Sequence, residues 1–317
     1  MTPLIRKLSA ALFALALLCA NTFAATTMTQ WSPLFKGIDY STGTNTPSAA
    51  MPNQHVVYAM RVDLTDPDIQ LRTTPRVASN YQSNLRETIG ATVSDFLTQN
   101  QLQVAINANF FDSPGYYPPP GTAMNVYGLQ IDRGTNVSTV TSPAQASTLI
   151  FSPSNTVALI PNNYPQKPLT NAYTAVTGEV TLVLNGTNRM TRDFDVQPRT
   201  VFGVSADRRY LYLIAIDGRQ PGYSSGATLF ECGEWLKLYG ASDGINMDGG
   251  GSTLLVMADS TGAPIRLNSS SAVAGDAAGR ERVIASHLGV YAKPLPGFIN
   301  DVQAIPDDTT AVISWTT

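Results

Sequence analysis

The chain has 317 residues, 43% apolar and only 14% charged, with a formal net charge of −3 at pH 7. An average soluble domain carries roughly 25% charged residues, so this chain is weakly charged, yet apolar enough to build a sizeable core rather than stay disordered. It has no basic run, which argues against a nucleic-acid partner, and with only two histidines and two cysteines a thiolate or multi-histidine zinc site is disfavoured.

The first 24 residues read as a secretory signal. Arg6 and Lys7 form the basic start, residues 8–18 an apolar stretch, and "ANTFA" a run of small residues ending at Ala24. An apolar stretch of eleven residues is too short to span a bilayer of about 30 Å, so no stable membrane insertion is expected after cleavage. The expected location is secreted or periplasmic. Leu18 is bulky where a small residue usually precedes a lipidated cysteine, which argues against a lipoprotein reading of Cys19. Cleavage removes Arg6 and Lys7 and takes the net charge to −5. It also leaves Cys232 without an intrachain partner, so the fold must rest on its core.

"HVVYAMRVDL" (55–64) and "IQLRTTP" (69–75) read as strands paired around the turn "TDPD". Residues 92–100 read as a short helix, and "LQVAIN" (102–107) as a strand leading into "ANFFD". "SPGYYPPPG" (113–121) has four prolines in nine residues and is expected to be a loop or lid. More strands are expected in 148–160, in 179–188 (closed by an Asn185-Gly186 turn), and on both sides of Ala206-Asp207-Arg208 within 199–217. One helix is expected over 228–239. Thr228 and Glu231 form its capping box, Gly240 its stop, and Leu229, Cys232, Trp235, Leu236 and Tyr239 its apolar face. The tail, 294–317, reads as a proline-rich linker followed by two strands like the start of a fibronectin type III module. Two strands alone are not a stable sandwich. The expected organisation is a signal at 1–24, one domain over 25–293, and the tail over 294–317.

Three of these strands end in a polar side chain followed by small residues: Asn107, Asp217 and Asp248. Ligands bind outside such strand ends in α/β-type sheets. If the strands are neighbours, Asn107, Asn109, Asp112, Asp217, Asn246 and Asp248 converge on one pocket. In "NMDGGGST" the glycines allow backbone conformations closed to other residues, and successive N–H groups of Gly249, Gly250 and Gly251 with Ser252 would form an anion-binding nest. The plainer reading is a tight hairpin turn. "DGRQPGYSSGATL" adds Arg219, Ser224, Ser225 and Gly226 ahead of a helix N-terminus, itself an anion site, and Arg199 and Arg219 could clamp a phosphate. Carboxylates with asparagines also suit Ca²⁺ or Mg²⁺ through hard oxygens. Asp112, Asp217 and Asp248 are then the metal candidates, and whether an ion is used stays open. Phe110, Phe111, Tyr116 and Tyr117 could stack on a sugar ring or pack in the core. Asn136, Asn185 and Asn268 lie in glycosylation-type triplets.

The run 217–256, with Asp217 to Gln220, Ser224 to Leu229 and Asn246 to Ser252, resembles the phosphodiester glycosidase family. Met247 and Thr253 are mild departures from the family pattern. "RTVFGVSAD", "ERVIASHLGVY" and "INANFFD" are similar to its flanking strands, although Ala108-Asn109 departs from its usual glycines. The resemblance covers residues 50 to 292. It implies an α+β fold: a large mixed, mostly antiparallel sheet with few flanking helices and a site at strand ends and glycine-rich loops. It also implies an exported hydrolase that cleaves the C1–O bond of a sugar 1-phosphodiester of the N-acetylglucosamine type. Because the leaving phosphate is acidic, such a site needs less general-acid help than an ordinary glycosidase, and more positive charge and N–H donors at the departing group. The resemblance gives Asp248, then Asp217, the role of carboxylate facing the sugar. It gives Arg199, Arg219, Gly249, Gly250, Gly251, Ser252, Ser225, Asn107, Asn109 and Asn246 roles in binding substrate or phosphate. Two competing readings are a metal-dependent phosphodiesterase breaking P–O and a non-catalytic glycan-binding protein of the cell envelope.

Overall fold

The computed structural model describes residues 26–77, 87–138, 146–161, 171–269 and 280–295, and the backbone of two strands in the tail. The signal at 1–24 lies outside the described residues. Among the described residues every strand pairing is antiparallel, and there are two α-helices. The strand-rich, helix-poor reading holds at that level. The expected single large sheet does not: the strands divide mainly among one nine-stranded and two five-stranded sheets.

The nine-stranded sheet has Val56–Asp63, Tyr210–Ile216, Arg199–Val204, Asp243–Asn246 and Val180–Leu184 side by side at its centre. One five-stranded sheet runs Pro264–Arg266, Leu255–Ala258, Val104–Asn107, His287–Tyr291, Gln70–Thr73. The other is built around Thr174–Gly178 and Ser147–Phe151. The expected pairing of 55–64 with 69–75 is therefore wrong. Val56–Asp63 pairs with Ile38–Asn45 and Tyr210–Ile216, while Gln70–Thr73 pairs with His287–Tyr291 in another sheet. The turn between them changes sheets instead of reversing within one. Val56–Asp63 already has a strand on each side, and Gln70–Thr73 buries only Leu71 and Thr73 while Gln70 is exposed, so neither needs the other as a partner.

Side-chain alternation shows where the core sits. Met60, Val62, Leu211, Leu213, Phe202 and Ile245 point from the large sheet into one cluster with Val104, Ile106, Leu255, Leu288, Leu149, Phe151 and Val176 of the other two sheets. Alternate residues of the same strands, Val57, Ala59, Val201, Ile214 and Ile216, pack on the outer side against Cys232, Trp235, Leu236 and Tyr239 of the Leu229–Tyr239 helix. Both faces are covered, so "YLYLIAI" is a continuous apolar run instead of an alternating one.

That helix has the expected signals. Thr228 caps it in a complete capping box with Glu231, and Gly240 ends it in the left-handed region at φ 101°. Trp235 is fully buried, and its truncation to alanine would cost about 3–5 kcal/mol. The Val93–Gln99 helix, capped by Thr92, covers the outer face of the second sheet through Val93, Phe96 and Leu97. The Asn185-Gly186 turn has φ 51° and 74° at its two residues, as a type I′ hairpin requires. In the tail, Asn300–Pro306 and Ala311–Thr316 pair with each other.

Candidate active site

The strands ending at Asn107 and Asn246 belong to different sheets, so the expected convergence at adjacent strand ends takes another form: the segments that follow the two strands are hydrogen-bonded to each other. The Asp248 N–H donates to the Ala108 carbonyl at 3.0 Å and the Met247 N–H to the Thr200 carbonyl at 2.9 Å. The Asn107 Nδ2 donates to the Asp248 carbonyl at 2.5 Å, and its Oδ1 accepts from Thr200 Oγ1 at 2.7 Å and the Leu254 N–H at 3.2 Å. Asn107 is fully buried. It fixes the chain on both sides of the glycine turn instead of facing a ligand.

The turn itself is no hairpin. It carries the chain from Asp243–Asn246 in the large sheet to Leu255–Ala258 in the second, through a 3-10 turn at Gly250–Ser252. A β-carbon on Gly249 would lie 2.8 Å from the Pro198 carbonyl oxygen, and one on Gly250, which sits at φ 58°, would lie 3.1 Å from the Arg219 guanidinium. Gly218 and Gly226 abut the same Gln197-Pro198 backbone, each with a would-be contact at 2.6 Å. The motif glycines let three chain segments close around residues 197–198. As for the expected nest, the Gly249 amide donates to Asp248 Oδ1 at 3.0 Å and the Gly250 amide to the Pro198 carbonyl at 2.8 Å. Both are already engaged within the protein.

Asp248 lies at the centre of the constellation. It is half-buried and densely surrounded. Burial pushes its carboxyl up to about 6 against the pull of the Ser252 hydroxyl, the Arg282 guanidinium and the Gly249 amide, and Glu179 adds a further upward push by charge repulsion. Ser252 is buried and also accepts from Arg282 Nη1 at 3.1 Å. Asn246, fully buried, donates to Glu179 Oε2 at 3.2 Å, and the Glu179 N–H returns a bond to the Asn246 carbonyl at 2.8 Å. Gly178 permits this approach, since a β-carbon there would sit 2.2 Å from that carbonyl oxygen.

Asp217 is completely buried. It accepts from Asn268 Nδ2 at 3.0 Å and, with both oxygens, from the Ser269 N–H at 3.1 Å. Burial still raises its carboxyl to about 6, although Asn268, Ser269 and the Tyr223 hydroxyl favour the charged form. Asn268 also donates to the Thr253 carbonyl at 3.1 Å and accepts from the Leu255 N–H at 2.7 Å, which ties Asp217 to the segment after the glycines. Asn268 is thus a buried structural residue, which contradicts its reading as a glycosylation acceptor. Asn136 and Asn185 are exposed.

Several expected binding residues are committed elsewhere. Arg199 is buried and spends its guanidinium on the Ala227 carbonyl at 3.0 Å and on the Asp195 carbonyl and carboxylate at 2.7 and 3.0 Å. Arg219 donates twice to Gln197 Oε1, at 3.0 and 2.7 Å, beside Gly250. Asn109 is buried, with its amide satisfied by the Tyr127 and Leu129 carbonyls and the Thr177 N–H. The Leu229–Tyr239 helix offers no open anion site at its N-terminus, because Glu231 fills it, accepting from the Thr228 and Asn53 N–H groups at 2.9 and 3.0 Å. The Ser225 N–H donates to the Gln54 carbonyl at 2.8 Å. Among the described residues, no group of three or more His, Cys, Asp or Glu side chains could hold a metal ion. Asp112, Asp217 and Asp248 therefore do not form the expected cluster.

The sequence reading missed Glu179 and Arg282. Glu179 immediately precedes the Val180–Leu184 strand, and Arg282 lies in the quoted run "ERVIASHLGVY". Neither closes a strand that runs into small residues, the signal that singled out Asp217 and Asp248: Glu179 sits between Thr174–Gly178 and Val180–Leu184, and Arg282 precedes His287–Tyr291 by five residues. The proline-rich stretch is irregular as expected. Its Tyr116 and Tyr117 stack edge to face at 4.9 Å and engage Arg282 and Arg280.

The phosphodiester glycosidase family model matches residues 100–291. None of the curated proteins matches the chain. Among solved structures, the catalytic domain of zebrafish N-acetylglucosamine-1-phosphodiester alpha-N-acetylglucosaminidase, auto-inhibited by its pro-peptide, superposes with a TM-score of 0.59 at 17% identity, covering 84% of this chain and 88% of that one. A Burkholderia pseudomallei K96243 protein, provisionally named as exported, gives 0.63 at 12% identity over 85% and 97%. A hypothetical protein from Synechocystis gives 0.51 at 15% identity over 81% and 62%. At these identities the likeness is one of fold.

Proposed function

Because the chain belongs to the phosphodiester glycosidase family, we propose that it hydrolyses the C1–O bond of a sugar 1-phosphodiester, with Asp248 as the reacting carboxylate. One observation carries the assignment of that residue: a reachable carboxyl, raised to about 6 by burial, with a hydroxyl, a guanidinium and a second carboxylate around it. Such a group is ionised at neutral pH, yet more basic than an ordinary aspartate, as suits a general base or nucleophile.

In the reaction a water oxygen ends bonded to C1, and the C1–O electron pair leaves with the phosphate monoester. Asp248 either attacks C1 first or takes the proton of the attacking water. The monoester leaves as a stable anion, so the site has no need of a strong acid opposite Asp248. Asp217 acts as a positioning residue, holding Asn268 and Ser269 behind the glycine turn. The name of the zebrafish neighbour makes N-acetylglucosamine the first sugar to try. Export of the protein, to the periplasm or medium, is part of the same reading and rests on the basic, apolar and small-residue stretches of residues 1–24.

The test is hydrolysis of an N-acetylglucosamine 1-phosphodiester in ¹⁸O-labelled water, with Asp248→Asn as control. Label in the released sugar supports C1–O cleavage. Label in the phosphate refutes it in favour of P–O cleavage, and turnover by Asp248→Asn near the wild-type rate refutes the role given to Asp248.

A further inference from the structure

The two arginines that sequence motifs offered as phosphate clamps are occupied, Arg199 by Asp195 and Ala227 and Arg219 by Gln197. A third stands at the carboxylate. Arg282 is half-buried and gives Nη1 to Ser252 Oγ at 3.1 Å and Nε to the Tyr116 carbonyl at 3.0 Å. Its guanidinium carbon lies 4.9 Å from the Phe111 ring centre and 4.4 Å from that of Tyr116. Arg280, two residues earlier, lies 4.0 Å from the Tyr117 ring centre. The aromatic residues of the proline-rich loop therefore hold two cations in place on one side of Asp248.

We propose that Arg282, held between Phe111 and Tyr116 and tied to Ser252, receives the phosphate of the substrate and makes the site selective for an anionic leaving group, with Arg280 as its outer neighbour. The proposal rests on the reading of Asp248 as the reacting carboxylate. It adds the residue that decides which side of the sugar carries charge. Arginine suits the task because its planar fork matches two phosphate oxygens. Ring contacts fix the fork before substrate arrives, which lowers the ordering cost of binding. The Ser252 hydroxyl, touching both Arg282 and Asp248, sets the spacing between the cation at the leaving group and the carboxylate at C1.

The test is calorimetric titration of the full chain with methyl phosphate, a minimal leaving group, together with kcat/KM on the methyl phosphodiester of N-acetylglucosamine. The variants are Arg282→Gln and Arg282→Lys, with Arg209→Gln as a control. Arg209 pairs with Asp63 on an exposed part of the surface. The expected result is a loss of methyl phosphate affinity of about 10- to 100-fold in Arg282→Gln, a smaller loss in Arg282→Lys, which keeps the charge without the fork, and none in Arg209→Gln. Arg282→Lys also answers for a Gln variant that folds poorly, since it keeps the cation between the rings. Wild-type affinity for methyl phosphate in both Arg282 variants overturns the proposal, as does a wild-type protein that binds no methyl phosphate. The readout is separable from the reaction: label in phosphate with an Arg282-dependent affinity sinks the C1–O reading, and with it the selectivity for the leaving group, and leaves Arg282 as the residue that receives the phosphate.

Discussion

Asp248→Asn should make the protein more stable while it abolishes turnover. Burial lifts the Asp248 carboxyl from the ordinary 3.8 to about 6. Each pH unit of displacement is worth about 1.4 kcal/mol, so at neutral pH the ionised side chain costs the folded state about 3 kcal/mol. That figure already includes the attraction to Arg282, so asparagine, which carries no charge to bury and still offers an oxygen to the Gly249 amide, should gain about 3 kcal/mol. The sign follows from linkage. A group raised on folding stabilises the protein fully below its unfolded value and loses that contribution as pH climbs through its folded value. The advantage of Asp248→Asn over wild type should therefore be absent near pH 3.8, grow towards pH 6, and stay level above it. Asp217, also raised to about 6, is present in both proteins and cancels in the difference. Urea unfolding of both proteins from about pH 4 to about pH 8 gives the curve directly. A difference that does not change with pH, or one that falls between pH 4 and pH 6, would refute the claim that Asp248 is held at the site against its own solvation.

Further expected outcomes concern activity and packing. Log kcat/KM on the phosphodiester should rise with pH and level off above about 6, as Asp248 ionises; a rate that falls through that range means the protonated form is the active one. Gly178→Ala should destabilise by about 3 kcal/mol or more, because its β-carbon would fall 2.2 Å from the Asn246 carbonyl oxygen; a urea midpoint within error of wild type would contradict the close approach. Glu231 answers in the opposite sense to Asp248: burial alone would raise its carboxyl, but His55, Thr228 and Asn53 hold it down to about 2 from an ordinary 4.5. Wild type should accordingly be more stable than Glu231→Gln by about 3 kcal/mol above pH 4.5, with the margin fading as pH falls through about 2; a margin unchanged at low pH would place the stabilisation in packing instead of charge.

The sequence by itself determined what local chemistry can encode. The Thr228–Glu231 capping box and Gly240 delimit a helix to the residue, because caps and stops are satisfied by neighbours three or four positions away. Asn185-Gly186 fixes a hairpin in the same way, and the run from Asp217 to Ser252 carries the family signature. Only the tertiary structure decided which side chains meet. Nothing local distinguishes Arg199, drawn away by Asp195, from Arg282, which arrives at Ser252 from a different part of the chain. Nothing local says that the glycines after Asp248 are there to pass Pro198 and Arg219 instead of closing a hairpin. These contacts depend on the order of strands across two sheets. Strands apolar on both faces fit next to several neighbours equally well, so their sequence fixes that they are buried but not which strand lies alongside.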